Sequence, residues 1–315
     1  MKVLITGAAG NLGSNLARHL LGSPLELRLV IHRKEMPFDT TPYSNVSVCR
    51  ADLGEPRTLT EVCAGADCVV HFAGVLFAPG PEKFLWQTNV DYVRNLVAAA
   101  LAAGVRKIIL ISFPHVEGET SPDHPATDRL DGAPGSVHAR TRLAAEQHLF
   151  EACRGKPTTA VSLRAGMIYG RGILMVDAAR WLLARRLLAV WKQPTWIHLL
   201  APPDFLNCVT AAIQGGRVSG IYNLGDDQPM TLQEFLDTAA AHWQCGKSWR
   251  LPQWTFHVAS ACCETFAAVV GTASPLTRDF IKIGMASYVA DTTRMKRDLA
   301  PKLVYPSLKE GLVLL

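Results

Sequence analysis

No two cysteines in the chain stand at C-x-x-C spacing, and no H-x-x-x-H segment lies beside any of them. The eight cysteines (49, 63, 68, 153, 208, 245, 262 and 263) therefore argue against a zinc site, and in 315 residues they do not read as a disulfide framework. The expected metal content is none. An excess of one charge sign is also missing: 32 basic residues face 27 acidic ones, scattered along the chain, which gives no footprint for nucleic acid. Long apolar runs are absent too. Stretches such as 96–103 and 265–270 are cut by glycine or charge well short of a membrane span. The amino end, MKVLITGAAG, passes from a strand-like run directly into glycines, without the longer apolar core and cleavage pattern of a signal peptide. There is no internal repeat or low-complexity segment, and Gly 24 and Pro 19 exclude collagen-like or linker-dominated architectures. These absences predict a reduced, cytoplasmic protein with a small-molecule partner, no nucleic acid and no membrane span.

What is present suits a filled core: 49% of residues are hydrophobic and 19% charged. Strand-like runs at 2–6, 27–31, 46–49, 68–72, 107–112 and 159–163 alternate with helical patterns at 11–21, 56–64, 83–103 and 139–154. KIILI and CVVHF are continuously apolar, as parallel strands buried on both faces must be. The pattern predicts an α/β fold, a Rossmann doubly wound parallel sheet with a smaller, discontinuous α+β substrate lobe. After residue 171 the rhythm changes: a helix is expected at 177–192, a short strand at 196–200, a helix at 205–214 and a returning strand at 220–224. Residues 1–172 plus about 200–226 are assigned to the dinucleotide-binding domain, and about 173–199 plus 227–315 to the lobe.

VLITGAAGNLGSNLARHL reads strand, glycine turn, helix, with Gly7, Gly10 and Gly13 in G-x-x-G-x-x-G spacing. Such glycines permit a tight turn, close approach of backbone to a pyrophosphate and close helix–strand packing, and the helix N-terminus offers free N–H groups. Asn11 and Leu12 lie inside this loop. Dinucleotide binding is favoured over a purely structural turn. An NAD site usually carries an acidic residue after the second strand, yet here His32, Arg33 and Lys34 follow Ile31. Cations there suit a 2′-phosphate, so NADP is preferred over NAD, against the alternative of a solvated loop.

On these motifs and several others the chain resembles the extended short-chain dehydrogenase/reductase family, the NAD(P)-dependent epimerases, dehydratases and reductases. Asp52 and Leu53 match its adenine-contacting pair. HFAG at 71–74, TNVDYVRNLVAAA at 88–100, LISF at 110–113, LRAGMIYG at 163–170 (Ala165 in place of the family's proline) and IYNLGDDQPMTLQEF at 221–235 resemble its further motifs. The resemblance implies that Phe72, Ala73, Gly74, Ile111, Ala165, Gly166 and Met167 line the cofactor. In the tail, LPQW at 251–254, the stretch 274–299 and YPSLKEGL at 305–312 resemble the 3β-hydroxysteroid dehydrogenase-like and dihydroflavonol reductase-like branch.

The family's Tyr-x-x-x-Lys is replaced. SVHARTRLAAEQ at 136–147 aligns His138 with the tyrosine and Arg142 with the lysine, while Ser112 matches the family's serine. Residues four apart share a helix face, so both side chains can address one nicotinamide. Histidine can serve as acid or base, although the fixed charge of Arg142 disfavours its imidazolium, and Arg142 can hold ribose hydroxyls. The expected function is an NAD(P)-dependent oxidoreductase acting on a carbonyl or alcohol. The alternatives are a nucleotide-sugar epimerase or dehydratase and a non-catalytic NADP-binding regulator or scaffold. His115, Glu117 and Tyr169 lie on segments expected near the substrate cleft, with Tyr169 also weighed as structural. The stretch 176–193, apolar with three arginines, is read first as a lobe helix packed on the core and second as a membrane-surface or anion-facing helix. Residues 257–270 are expected to line a substrate pocket or a partner interface, with Cys262 and Cys263 as small core residues. The resemblance also implies a homodimer through 83–103 and 139–154.

Overall fold

Seven short apolar runs become the strands of one parallel sheet in the computed structural model, which describes residues 1–72, 74, 81–270 and 276–315. They are β1 (Lys2–Thr6), β2 (Glu26–Ile31), β3 (Val46–Arg50), β4 (Cys68–His71), β5 (Lys107–Ser112), β6 (Thr159–Ala165) and β7 (Gly220–Leu224), in the order β7-β6-β5-β4-β1-β2-β3. Every pairing is parallel. Side chains alternate across each strand, so Val3 and Ile5 enter one core cluster and Leu4 the other. The first cluster is closed by α1 (Asn11–His19) and by α5 (Pro202–Gln214). The second is closed by α2 (Pro56–Cys63), α3 (Tyr92–Ala102) and α4 (Val137–Cys153). The chain reverses direction of travel across the sheet between β1 and β4. In open sheets of this type, that crevice at the carboxyl ends of the strands is where ligands sit.

A third apolar cluster lies off the sheet. It unites Tyr169, Val176, Trp191, Leu199, Phe235 and Leu308 from segments far apart in sequence and forms the heart of the smaller lobe. Two expectations about its neighbourhood need correction. The helix expected over 177–192 is Leu174–Ala184, and the chain returns as a strand, Ala189–Trp191, parallel to Trp249–Leu251. Arg186 sits at φ 57°, its N–H donates to Leu183 O and that of Leu187 to Leu182 O. That is a helix stop built without glycine. The strand expected at 196–200 is divided into Trp196–Ile197, antiparallel to Met230–Thr231, and Leu199–Leu200, parallel to Met167–Ile168. The 83–103 helix is observed as three consecutive helical pieces: Pro81–Trp86, a π-helical turn at Gln87–Asp91, and α3. Cys262 is exposed, not a core residue.

Candidate functional site

The glycine loop closes at the switch point. Gly7 adopts φ 69°, and Gly10 N–H donates to Gly7 O at 2.9 Å. A Cβ on Gly13 would lie 2.3 Å from Gly7 O, so only glycine lets α1 start this close to the turn. No side chain among the described residues caps α1 at Gly10, which leaves its first N–H groups to whatever binds at the sheet's carboxyl edge. Asn11 donates its side-chain amide to Gly172 O, tying the loop to the segment after β6, and Leu12 packs partly into the first core cluster. The turn thus presents backbone and a helix start that no side chain among the described residues caps.

At the outer end, His32, Arg33 and Lys34 are exposed just beyond β2. His32 Nε2 lies 3.4 Å from Asp52 Oδ2, while Asp52 Oδ1 accepts from Gly54 N–H at 2.8 Å. Leu53 packs against the second cluster and its carbonyl accepts from Asn95. Arg50, at the end of β3, donates to His32 O at 2.9 Å and pairs with Glu35. Sequence reading missed Arg50, which adds a further cation to this edge.

At the inner end, one face of α4 carries His138, Arg142 and Glu146, each one turn after the last and all buried. The His138 ring meets Phe113 edge-on at 4.6 Å, one residue past Ser112, the last residue of β5. The guanidinium of Arg142 reaches the end of β4. A Cβ on Gly74 would lie 2.4 Å from Arg142 Nη2, so the head group occupies the space that any side chain there would take. Arg142 Nε and Nη1, Ser112 Oγ and His71 Nε2 are all buried and have no hydrogen-bond partner among the described residues. Such a concentration of orphaned polar atoms is costly unless a ligand completes them. Burial lowers Arg142 to about 10, against a pull upward from Glu146, so it stays charged at neutral pH. Burial, with Arg142 adding to it, drives His71 down to about 3; this neutral ring meets Thr6 Oγ1 at 2.7 Å.

The remaining sequence-derived candidates are distributed less uniformly. Ile111 is buried in the first core cluster, and the Phe72 ring points into that cluster, 6.1 Å from Phe205. Ala73 lies outside the described residues. Ala165 is buried, Gly166 N–H donates to Leu224 O, and Met167 N–H donates to His198 O while its side chain joins the lobe cluster. A Cβ on Gly166 would lie 2.4 Å from His198 O. His115 is stacked between Phe113 and Tyr288, with Nε2 at 3.0 Å from Ala286 O, and burial pulls it down to about 4. Glu117 binds Arg164 Nη1 at 2.5 Å and accepts from the Thr127 and Arg129 amides, so its carboxylate is engaged inside the protein. Tyr169 is fully buried in the lobe cluster with its hydroxyl against Gly311, and burial raises its hydroxyl well above the usual range.

Three groups that sequence reading left out hold α4 in place. Asn89, in the π-helical turn, donates to Thr141 Oγ1 at 3.1 Å. Asp279, from the lobe helix Arg278–Met285, accepts from the Val137 and His138 amides. Glu146 takes three hydrogen bonds from buried Arg164 and one from Ser162. Asn89 sits within the TNV motif, which was a signal for it; the others depend on contacts distant in sequence.

Known proteins resemble this chain in sequence and in fold. The chain is 30% identical over 182 residues to a 2-alkyl-3-oxoalkanoate reductase of Stenotrophomonas maltophilia (strain K279a), covering 55% of this chain and 52% of that one. It is 26% identical over 252 residues to 3 beta-hydroxysteroid dehydrogenase type 7 of Homo sapiens, covering 70% and 68%. The aligned part spans about half the length of the first of these relatives. Among solved structures, DesIV (dTDP-glucose 4,6-dehydratase) from Streptomyces venezuelae with NAD and TYD bound superposes with a TM-score of 0.79 at 16% identity, covering 100% of this chain and 95% of that one. At that identity it shows a shared fold. The model of the NAD dependent epimerase/dehydratase family matches residues 3–225, from the first strand through the last strand of the sheet. The chain belongs to the NAD dependent epimerase/dehydratase family.

Proposed function

We propose that this chain is an NADP-dependent oxidoreductase acting on a carbonyl or alcohol, with His138 in the proton-transfer role. The observation that carries the reading is the buried face of α4, where His138 packs edge-on against Phe113, the residue after Ser112, and the charged Arg142 reaches Gly74, past the carboxyl ends of β5 and β4. A bound nicotinamide cofactor supplies the redox chemistry. Arg142 directs Nε and Nη1 to ribose hydroxyls, Ser112 Oγ orients the substrate oxygen, and His138 exchanges a proton with that oxygen. The reductase and dehydrogenase names of the two curated relatives support a carbonyl substrate over a nucleotide sugar.

NADP is favoured because Arg33 and Lys34 stand exposed where an NAD enzyme usually has a carboxylate, and Asp52 is engaged by His32. The reading uses the division into a dinucleotide-binding unit of 1–172 plus about 200–226 and a lobe made of the rest. It extends to a homodimer through 83–103 and 139–154, where Phe84 and Trp86 are exposed beside α4; light scattering checks that state.

The test is a fluorescence titration with NADPH and NADH, followed by turnover on a panel of ketones, aldehydes and nucleotide sugars. NADPH is expected to bind more tightly, and Arg33→Ala with Lys34→Ala to weaken it about tenfold or more, the loss of charge-assisted hydrogen bonds. His138→Ala is expected to cut carbonyl turnover by roughly 10²–10⁴ while NADPH affinity holds. Unchanged turnover in His138→Ala removes the role given to that residue. Turnover of nucleotide sugars alone replaces the reading with an epimerase or dehydratase, and tight binding with no turnover leaves a cofactor-binding regulator.

A further inference from the structure

The lobe carries an apolar surface that neither the sheet nor the site uses. Four tryptophans among the described residues are exposed, and three of them, Trp181, Trp249 and Trp254, stand on this lobe at 53%, 60% and 65% exposure. Leu187, at 61%, lies in the chain between Arg186 and Leu188, both of whose carbonyls accept from Trp249. The connections are explicit. Arg185 lays its guanidinium 4.1 Å over the Trp181 ring, and Trp249 Nε1 donates to Arg186 O at 2.9 Å. The parallel pairing sets Trp249 opposite Ala189, two residues after Leu187. Leu251 is exposed on the same side of its strand as Trp249, while Arg250 between them turns inward to Asp237. Trp254 then opens the helix Gln253–Val270, and Val258 follows one turn later. The helix packs Val176 on the lobe core and buries Leu183, while Trp181, and Leu174 and Met175 at its start, face outward.

The charge around the patch identifies its partner. Residues 180–192 hold Arg180, Arg185, Arg186 and Lys192 and no acidic residue. Exposed tryptophans are amphipathic, with an apolar body and a polar N–H, and they settle at the boundary between headgroups and acyl chains. Cations at the same level meet anionic headgroups, the charge complementarity that an anionic bilayer supplies. Among the described residues no helix is long and apolar enough to cross a membrane, so the contact is one of lying on the surface. We propose that this face, from Trp181 through Arg185, Arg186 and Trp249 to Trp254, docks the protein on an anionic phospholipid bilayer.

Co-sedimentation of the full chain with vesicles tests this. Vesicles of phosphatidylcholine with roughly one-third phosphatidylglycerol are expected to bind the protein at least about tenfold more tightly than phosphatidylcholine alone, and added salt is expected to weaken that binding. Arg185→Glu with Arg186→Glu should erase the preference for the anionic vesicles, each lost cation costing about fivefold. Trp249→Ser with Trp254→Ser should lower binding to both vesicle types, while thermal unfolding and NADPH affinity stay as in the parent chain. Absence of binding to anionic vesicles at low salt overturns the proposal, as does parent-like binding by the charge-reversal variant. A second copy is the competing occupant. If the tryptophan variant turns a dimer into a monomer and leaves vesicle binding unchanged, the face is a protein interface and the proposal fails.

Discussion

The carboxylate of Asp279, carried on the small lobe, accepts a hydrogen bond of 2.7 Å from the backbone N–H of Val137 and one of 3.3 Å from that of His138. Ser136 caps the next amide, that of Ala139, at 3.2 Å. The amino end of α4 therefore has its first three amides satisfied, two of them by a residue more than a hundred positions away. An anion at a helix N-terminus also complements the helix dipole.

Removing that carboxylate unseats the helix that presents His138. Asp279→Ala is expected to lower stability by about 0.5–2 kcal/mol, the usual range for losing an N-terminal cap. That corresponds to a fall in melting temperature of roughly 2–6 °C for a chain of this size. Turnover should drop further than NADPH affinity, because His138 moves while the glycine loop does not. Asp279→Asn keeps one acceptor and should fall between the two. Calorimetry and a kcat-against-affinity comparison check this; a variant with parent stability would deny Asp279 its capping role.

Gly74 and Arg142 form a second matched pair. With a Cβ placed 2.4 Å from Nη2, alanine at position 74 forces the guanidinium to move, since the side-chain end yields before the backbone does. Gly74→Ala is expected to weaken NADPH binding about tenfold through the displaced Arg142. Arg142→Lys, whose head is narrower, should suffer less from the same alanine. The double variant is therefore expected to bind better than Gly74→Ala alone. A strictly additive double mutant, measured by the same titration, would show that the two residues do not communicate.

The difference between what the sequence disclosed and what it hid follows the range of the interactions. The glycine turn was legible because Gly7, Gly10 and Gly13 answer a local backbone need within seven residues, and the buried strands were legible from unbroken apolar runs such as KIILI. The end of the helix at Ala184 was not, because a left-handed stop usually advertises itself with glycine and Arg186 takes that conformation here. Glu117 was placed near substrate for want of its partner, whereas Tyr169, also weighed as structural, is buried in the lobe. Gly311 opposes the tyrosine hydroxyl and Arg164, 47 residues on, claims the carboxylate. The closeness of Gly74 to Arg142 joins β4 to α4, and no spacing rule connects those positions.

Beneath the site, Arg164 is fully buried and held by Glu146, Glu117 and the carbonyl of Arg129. A buried charge deprived of its partner is expensive, typically about 3–5 kcal/mol. Glu146→Ala is expected to lower the melting temperature by on the order of 10 °C. It should also lower the proton affinity of Arg142, which Glu146 supports from one turn away. Replacing the whole network, Arg164→Met with Glu146→Met and Glu117→Gln, should restore much of the stability, because no buried charge is then left unpaired and the glutamine oxygen still accepts from the Thr127 and Arg129 amides. Thermal unfolding of the single and triple variants decides the matter; a triple variant no better than the single would mean that the ionic network itself is indispensable.

Asp226 sets a pH dependence of stability. Its side chain is buried, Oδ1 accepts from Gln228 N–H at 3.1 Å, and Oδ2 has no hydrogen-bond partner among the described residues. Burial raises its carboxyl from 3.8 to about 7, with Asp227 and Asp204 adding to the shift. The folded protein therefore holds a proton that the unfolded chain has released between about pH 4 and pH 7, and stability falls as pH rises through that window. Asp128, raised to about 6 mainly by burial, acts in the same direction over a narrower range. Asp226→Asn mimics the protonated form, keeps the acceptor for Gln228 and removes the buried charge. It is expected to raise the melting temperature by about 5 °C at pH 8 and to change it little below about pH 4. Melting curves of the two chains across that interval should converge on the acid side. Curves that run parallel, or an asparagine variant less stable at pH 8, would mean that Asp226 ionises in the folded protein as readily as in the unfolded one.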